Sequence, residues 1–453
     1  MNLWDKGGKT QESTISFTCD RDRHYDERLA PYDIVGSMAH TVMLEKCRII
    51  GPDEKARLIS GLSLLFAEAG KGNLQIGKEY EDIHSYVEFR LQDNAGEAAG
   101  RLNTGRSRND QIITDIHLWL RHQSAILAAE IHKLAGLFLE LSKNNESALM
   151  PGFTHMQTAM VSSFGLWFAA YAESLCDDLQ LLADASSFTN ASPLGTAAGY
   201  GTTLAIDRKL TASLLKFDRL IVTSPYAQMS RGRTERIIAN AIASVANSLG
   251  RFSSDVLLFM SPGYGFITLP DDLTTGSSIM PHKKNPDLFE LIRARCNKLQ
   301  CVPNEIVMMT TGLPPGYNRD YQELKAVLFD SFDEMRDLVA AIRSAAGGLI
   351  IKRDIMNDGR YNDIYSVEEA NKMALRGMPF RDAYRVVASM AGSGTFEPTG
   401  LNDYTHIGSI GNTGTGLIKK RIEKIMVGFR KAYSPQELFD SIIHGELNSQ
   451  YSR

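Results

Sequence analysis

Apolar residues recur at helical spacing through most of the chain, and five segments keep that spacing for many turns. In the first of these, residues 110–141, Ile116, Leu120 and Leu127 fall on one face of the predicted helix. Pro303 lies inside the fourth segment and should kink or interrupt it. Helices this long extend beyond any small core, so the pattern predicts an elongated helical bundle. The other four segments span 162–188, 234–260, 288–309 and 320–350.

Shorter helical segments flank this bundle. On the N-terminal side, the mixed polar stretch over residues 4–18 predicts an extended arm, and three helical segments follow it. Those segments span 33–50, 53–65 and 82–91. On the C-terminal side, a polar tail is broken by glycines near Gly392 and Gly408. No region is rich in strand patterns, so we predict an all-α fold with three domains, over residues 1–105, 106–353 and 354–453.

The apolar faces of the long segments are wide. Phe164, Trp167, Phe168 and Tyr171 form one example, within the second long segment. Five helices from one chain would leave part of such faces in water, so we predict a homo-oligomer with a shared helical core. The alternative is a monomeric bundle whose helices are unevenly amphipathic.

Composition narrows the class of protein. The net charge of −4 gives no basic field that would attract nucleic acid or a membrane surface. The five cysteines lie apart without C-x-x-C spacing, which predicts neither a zinc site nor disulfides and is typical of a reducing compartment. No run of about 18 apolar residues predicts a membrane span, and residues 1–12 lack the apolar part of a signal peptide. We therefore expect a cytoplasmic protein.

A long polar loop separates the third and fourth long segments. Residues 274–287 read TTGSSIMPHKKNPD, in which glycine, paired serines and two prolines oppose helix formation. Hydroxyl, ammonium and amide groups are gathered here on irregular backbone, as in many functional loops. The alternative is a surface loop with charged tips.

A second polar group lies where the first long helix begins. Helix N-termini carry unpaired backbone N–H groups and a partial positive charge. Arg106, Ser107, Arg108 and Asn109 add side-chain donors, so this segment predicts a site for a carboxylate or a phosphate. The alternative is ordinary helix capping, with both arginines in solvent.

Two further turns join the long segments. Residues 151–157, PGFTHMQ, place His155 in a turn, where it is either a proton-transfer group or a structural residue. Residues 192–201, SPLGTAAGYG, form a glycine-rich bend that follows no predicted strand and lacks GxGxxG spacing, so they do not predict a dinucleotide site. All these turns lie at the ends of long helices, where turns from chains packed lengthwise can meet.

Residues 276–286, GSSIMPHKKNP, resemble the signature loop of the fumarase/aspartase superfamily, whose pattern is roughly GSSxMPxKxN. Within that superfamily, six further stretches are similar to the argininosuccinate lyase family: 33–40, 81–84, 105–111, 152–157, 192–195 and 317–325. The resemblance implies a homotetramer with a core of twenty long helices and active sites built from three chains. It also implies reversible cleavage of argininosuccinate to arginine and fumarate, without a cofactor or a metal.

The same resemblance implies catalytic roles. Ser277 corresponds to the base, and Lys283 is suited, with the loop amides, to stabilise the serine alkoxide and the charge that develops on the substrate. His155 corresponds to a histidine that serves proton transfer or orientation on the leaving-group side, and Glu290 to the carboxylate that orients it. Which of Ser277 and His155 donates the final proton stays open.

Substrate binding is implied for two further sets of residues. The set for the succinyl half is Asn109 and Thr154, with Asn285. Ser107, Arg108 and Ser278 are also predicted to bind substrate. The set for the rest of the substrate is Tyr317, Gln322 and Lys325. Gln322 and Lys325 are three positions apart, so they share a face if that segment is helical.

Several positions depart from the family pattern. Asp22 falls near a position where a substrate-binding serine is common, and it adds negative charge near an anionic substrate. Asn103 stands where histidine is common, and His282 where glutamine is common. Two alternative functions follow: a sister lyase acting on another fumarate adduct, and a catalytically silent structural tetramer. The intact 276–286 loop argues against the second.

Overall fold

A computed structural model describes residues 12–72 and 74–451, with backbone alone for 446–451. Helices dominate these residues, which confirms the all-α prediction. The α-helices are α1 Glu12–Lys46, α2 Pro52–Gly70, α3 Ile83–Ala95, α4 Arg108–Asn144, α5 Phe164–Ser187, α6 Arg208–Leu214, α7 Ser224–Met229, α8 Arg233–Met260, α9 Asp287–Leu299, α10 Val302–Thr310, α11 Glu323–Ala346, α12 Ser366–Leu375, α13 Phe380–Gly392, α14 Thr415–Met426 and α15 Pro435–Tyr451.

Short strands and 3₁₀ turns connect these helices. The strands form three two-stranded sheets: β1 Leu149–Thr154 with β2 Gln157–Ser163, β3 Ala191–Ser192 with β4 Arg219–Leu220, and β5 Ile267–Thr268 with β6 Ile350–Ile351. The first and third pairs are antiparallel and the second is parallel. The 3₁₀ helices span Gly96–Arg101, Asp271–Leu273, Arg319–Gln322, Ile355–Asn357, Gly359–Tyr365 and Val427–Lys431.

The long helices α4, α5, α8, α9, α10 and α11 pack against one another as the central bundle. Helix α4 has 37 residues, so it is about 55 Å long at 1.5 Å per residue. Aromatic rings fill the bundle core: the Phe138 and Phe252 centroids lie 4.8 Å apart, and Trp119 stacks on Phe329 at 3.7 Å. The fourth predicted helix is interrupted before Pro303, between α9 and α10, as the sequence predicts.

The aromatic stripe on α5 is covered by the chain itself. Phe164 and Phe168 are fully buried, Trp167 is 8% exposed, and Trp167 stacks on Phe252 of α8 with centroids 5.1 Å apart. The expectation that one chain would leave this stripe in water was therefore wrong. The stripe therefore gives no support to an oligomer.

Helix α1 begins earlier than the predicted arm allows. It spans Glu12–Lys46 and continues through Pro31, so residues 12–18 are helical rather than extended, while residues 4–11 lie outside the described part. A proline inside a helix removes one hydrogen bond and costs about 3 kcal/mol. Burial of Leu29, Ile34 and Met38 around it offsets that cost. The division into three domains stays a prediction.

A glycine at the start of α5 tests this packing. A Cβ on Gly165 would lie 2.7 Å from the Glu146 Cα atom and 3.0 Å from the Ser142 carbonyl oxygen, both backbone atoms. We expect Gly165→Ala to lower the free energy of unfolding by about 2 kcal/mol or more, because the backbone must shift. In α15, a Cβ on Gly445 meets nothing within 4 Å.

Gly445→Ala serves as the matched control and should leave stability unchanged or raise it by up to about 1 kcal/mol. Urea unfolding followed by circular dichroism, at one protein concentration, measures both variants. Equal stability of the two variants would contradict the close approach of α5 to the 142–146 segment.

Candidate active site

A cavity of about 150 Å³ lies where α1 passes the N-terminal ends of α3, α4 and α11. Its lining is densely charged. Four carboxylates, from Asp22, Asp26, Glu81 and Asp82, share it with the cationic side chains of Arg108, Arg231, Arg319 and Lys325, and with His84. Five residues predicted to bind substrate meet in this cavity: Arg108, Asn109, Tyr317, Gln322 and Lys325.

The start of α4 binds the chain's own carboxylates. Ser107 is the N-cap residue: its hydroxyl accepts the Asn109 backbone N–H at 3.3 Å, and it does not line the cavity. Arg108 Nη1 donates to Glu81 at 2.8 Å and to Asp82 at 2.9 Å. Arg106 is buried and donates to the Ser37 hydroxyl at 3.0 Å. The site predicted here for an external anion is thus partly filled by internal carboxylates.

The glycine-rich bend of residues 192–201 is fastened to this helix start. One carboxylate oxygen of Asp110 accepts the backbone N–H groups of Gly195 and Ala197, each at 2.8 Å. Burial raises the pKa of Asp110 to about 6, although these backbone donors oppose the shift. Gly195, with φ of 86°, adopts the left-handed conformation that the tight bend needs. The bend therefore supports the site from behind.

Two carboxylates of α1 hold the ammonium of Lys325. Its Nζ lies 2.5 Å from Asp26 Oδ1 and 2.6 Å from Asp22 Oδ1, and the residue is 3% exposed. Gln322, at the end of a 3₁₀ helix that leads into α11, donates to the second oxygen of Asp22. Burial lowers the pKa of Lys325, but the two carboxylates outweigh burial and keep that pKa above its ordinary value. Gln322 and Lys325 thus face the same carboxylate.

A buried histidine in the cavity lining, His84, lies between two carboxylates. His84 Nδ1 is 2.9 Å from Asp33 Oδ1 and 3.9 Å from Asp115 Oδ2. Burial alone lowers the pKa of His84. The carboxylates of Asp33, Asp82 and Asp115 outweigh burial and raise that pKa to about 9. Among the described residues this trio alone has the spacing of a metal site. Burial and the neighbouring Asp33 carboxylate raise the pKa of Asp115 well above its ordinary value, so Asp33 is the main charged partner of His84.

The predicted histidine lies on the hairpin between α4 and α5. His155 and Met156 form its tip, with φ of 52° and 60°, and Thr154, His155 and Met156 are exposed. The tip has backbone strain in two adjacent non-glycine residues, which is common at functional sites. Sequence patterns predicted a turn here but missed the paired strands β1 and β2.

The 274–287 loop is a small hairpin outside the cavity. Backbone hydrogen bonds pair Thr275 with Asn285, and the Asn285 side chain donates to the Gly276 carbonyl at 3.2 Å. The Ser277 hydroxyl oxygen accepts the backbone N–H groups of Ile279 at 3.3 Å and Met280 at 3.1 Å. The remaining predicted residues of this region, Ser278 and Lys283 in the loop and Glu290 one turn into α9, are exposed.

Helix directions place these groups at opposite ends of the bundle. The residues at or next to the N-termini of α4, α8 and α11 line the cavity, namely Arg108, Arg231 and Lys325. The His155 hairpin follows the C-terminus of α4, and the Ser277 loop follows α8. Helices α4, α8 and α11 have 37, 28 and 24 residues, hence lengths of about 55, 42 and 36 Å. Within one chain, Ser277 and His155 are therefore remote from the cavity.

Sequence reasoning assigned no role to several residues of the cavity. Glu81, Asp82 and His84 lie in a stretch that carries the family resemblance, and Arg319 lies in another. The family motifs could therefore have indicated that these four residues belong to the site. No local sequence pattern predicts a role for Asp26, because its partner Lys325 lies 299 positions away.

Comparison with known proteins agrees with this architecture. A family profile described as "Lyase" matches residues 12–300. The argininosuccinate lyase of Phocaeicola vulgatus is 43% identical over 429 residues, covering 95% of this chain and 96% of that protein. The chain belongs to the argininosuccinate lyase family. The family member from Parabacteroides distasonis is 42% identical over 98% of this chain and 100% of its own length. The family member from Stenotrophomonas maltophilia is 37% identical over 86% of this chain and 91% of its own length.

Solved structures share the fold. An EDDS lyase variant with bound fumarate has a TM-score of 0.75 at 21% identity, covering 97% of this chain and 96% of that one. The class II fumarase of Schistosoma mansoni has a TM-score of 0.71 at 15% identity, covering 96% and 97%. At these identities the likeness shows the helical fold alone. No helix in the described residues is both long enough and apolar enough to cross a membrane.

The His84 network predicts a pH-dependent stability. Because the folded state raises the pKa of His84 from 6.5 to about 9, its stabilising contribution is complete below pH 6.5 and is lost as pH rises through 9. The stability advantage of the wild type over His84→Asn should therefore shrink over this range, by up to about 1.4 kcal/mol per pH unit.

Urea unfolding at fixed protein concentration measures this difference. The control is His132→Asn, which removes an exposed histidine of α4 and should show no such trend. A His84→Asn difference that stays constant from pH 6.5 to 9 would contradict the buried imidazolium.

Proposed function

We propose that the chain is an argininosuccinate lyase, which cleaves argininosuccinate reversibly to arginine and fumarate in arginine biosynthesis. The observation that carries the proposal is the clustering of Asn109, Tyr317, Gln322 and Lys325 in one charged cavity, in a chain 43% identical to argininosuccinate lyases over 95% of its length. The enzyme acts in the cytoplasm, which its free cysteines support.

The chemistry sets a demanding requirement. The proton that must be removed lies on the carbon beside a succinyl carboxylate and is very weakly acidic. Its removal moves an electron pair into that carboxyl group, which then carries two negative charges. The pair returns to expel the guanidinium nitrogen, and a proton delivered to that nitrogen releases arginine. Preorganised donors around the doubly charged group supply the largest catalytic effect.

Ser277 is the base in this proposal. A serine hydroxyl removes a proton only when its alkoxide is stabilised. The backbone N–H groups of Ile279 and Met280 already point at its oxygen, at 3.3 and 3.1 Å, which supports this role. Lys283 lies on the same loop and adds a positive charge when the loop closes over substrate.

His155 works on the leaving-group side. Its exposed position at a hairpin tip suits a residue that enters the cavity of another chain. Glu290 orients its imidazole from a neighbouring chain; both side chains are exposed, so both are accessible to another chain. Ser277 and His155 between them remove and deliver the two protons.

The two halves of the substrate bind to different groups. Asn109 and Arg108 hold the succinyl half, together with Thr154, Ser278 and Asn285 from other chains; Arg108 Nη2 has no partner among the described residues, which supports this role. Ser107 contributes by capping α4. Tyr317, Gln322 and Lys325 hold the arginine half.

The site therefore requires a homotetramer in which three chains contribute to each site. The separation of the cavity from the Ser277 loop and the His155 hairpin by the length of the bundle supports this assembly. Large apolar side chains exposed on the helices support it further, including Leu291 at 58% and Met308 at 71% exposure. The mechanism assigns no step to a metal or a cofactor.

Substrate selection tests the proposed reaction. Purified protein should raise ultraviolet absorbance through fumarate release when argininosuccinate is added, and should release none from adenylosuccinate, malate or aspartate. The Tyr317–Lys325 segment carries this choice, because it binds the part in which these compounds differ. Fumarate release from one of the other three compounds instead would identify a sister lyase.

Two substitutions test the catalytic assignments. Ser277→Ala and His155→Asn should each lower kcat by about 10³-fold or more, because each removes a proton-transfer group, while size-exclusion chromatography shows an unchanged assembly. Ser213→Ala and His132→Asn, both at exposed helical positions, serve as matched controls with normal turnover. Near-normal kcat in either test variant would remove that residue from the mechanism.

A further inference from the structure

Two carboxylates and one ammonium share the corner of the cavity formed by α1 and α11. Asp22 and Asp26 both contact Lys325, at 2.6 and 2.5 Å. Their formal charges leave one negative charge in excess. In the described part of the chain, neither carboxylate has a second cationic side chain within 4.0 Å.

The other cationic side chains of the cavity are engaged elsewhere, and His84 pairs with Asp33 at 2.9 Å. Arg108 pairs with Glu81 and Asp82, and Arg319 also pairs with Glu81, at 3.3 Å. Arg231 pairs with Glu235 at 2.8 Å. A buried excess charge is costly unless a partner balances it, so this corner suits a ligand that brings a cation.

Asp22 is the carboxylate that a ligand can reach. The Asp26 side chain is 2% exposed, whereas the Asp22 side chain retains 11% exposure. Asp22 also lines an adjoining groove of about 280 Å³ together with Arg319 and Gln322. It therefore lies where the cavity opens toward solvent.

We propose that Asp22 binds the α-ammonium group of the arginine half and makes the enzyme selective for a substrate with a free α-amino group. This inference rests on the proposed function. The guanidinium group carries the bond that breaks, so it lies toward Asn109 and the incoming catalytic residues. The α-ammonium group is at the other end of the same half, which lies toward Gln322 and Lys325.

The proposed contact completes the charge balance of the corner. The substrate ammonium neutralises the excess charge and donates to Asp22, while the third N–H of Lys325 remains for the substrate α-carboxylate. The serine that is common near this position in the family pattern is uncharged. Selectivity for the ammonium is therefore a property of the Asp22 carboxylate in this chain.

The experiment compares two substrates and two proteins. Initial rates of fumarate release are measured for wild type and Asp22→Asn, with argininosuccinate and with its Nα-acetyl derivative, which has a neutral amide in place of the ammonium. The wild type should prefer argininosuccinate by about 10- to 100-fold in kcat/KM, the range expected for one charge-assisted hydrogen bond.

In Asp22→Asn, KM for argininosuccinate should rise by a similar factor with little change in kcat, and the preference should fall to about one. A purely structural role for Asp22 predicts a different result, because loss of support for Gln322 and Lys325 lowers kcat/KM for both substrates and leaves their ratio intact. That result would overturn the inference. So would a wild type that accepts the acetyl derivative as readily, with the acyl group in the adjoining groove.

One control variant and one replacement variant complete the experiment. Asp20→Asn, two positions earlier on α1 and outside the cavity lining, should retain the wild-type preference. If Asp22→Asn does not fold by circular dichroism, Asp22→Ser is measured in its place, and the wild-type preference remains a test by itself. Absence of fumarate release from argininosuccinate by the wild type would contradict the proposed function. Fumarate release from both substrates at equal rates by the wild type would contradict this inference alone.

Discussion

The length of the central helices is the constraint on which the rest of this structure depends. A helix rises 1.5 Å per residue and cannot shorten, so the 37 residues of α4 hold its two ends about 55 Å apart. The cavity lies at the end where α4, α8 and α11 begin, and the Ser277 loop and His155 hairpin lie beyond the ends where α8 and α4 finish. A bundle with so many buried aromatic rings does not bend to join them. In the proposed function, each chain therefore carries every part of a site, and neighbouring chains complete each site.

Ion pairs within the chain hold the charged side chains of the cavity in place. Lys325 is held between Asp22 and Asp26, and Arg108 between Glu81 and Asp82. Buried ion pairs often contribute little net stability, because desolvation offsets their attraction. In the proposed function their benefit is geometric: the donors assigned to the substrate are already ordered, so binding does not have to order them. In the proposed contact, the same low exposure strengthens the discrimination by Asp22 between a charged and a neutral ligand group.

Much of the scaffold was predictable because it depends on local periodicity. The apolar period located α4, α5, α8 and α11 to within a few residues, and Pro303 marked the break between α9 and α10. Helix α1 continues through Pro31 because the residues around that proline are buried, and burial cannot be read from the sequence alone. The hairpin at His155 was missed because Pro151 and Gly152 favour a turn locally, whereas strand pairing depends on residues 157–163 opposite.

The candidate site divides in the same way. Motifs predicted roles for Ser277, His155 and Asn109, since each lies in a compact stretch with a specific pattern. The pairing of Asp22 and Asp26 with Lys325 joins residues about 300 positions apart, so no local pattern predicts it. That α4, α8 and α11 begin at one end could be inferred only once their directions in the bundle were known.

In the proposed assembly, one chain's cavity is completed by another chain's loop. The direct test mixes two inactive variants, Asn109→Asp in the cavity and Ser277→Ala in the loop, and lets them reassemble after reversible dissociation. Random assembly in equal amounts pairs an intact cavity with an intact loop in about a quarter of the sites, one half times one half, so about a quarter of wild-type fumarate release should return. Activity that stays at the level of the separate variants, in hybrids verified by mass spectrometry, would show that each site is built within a single chain.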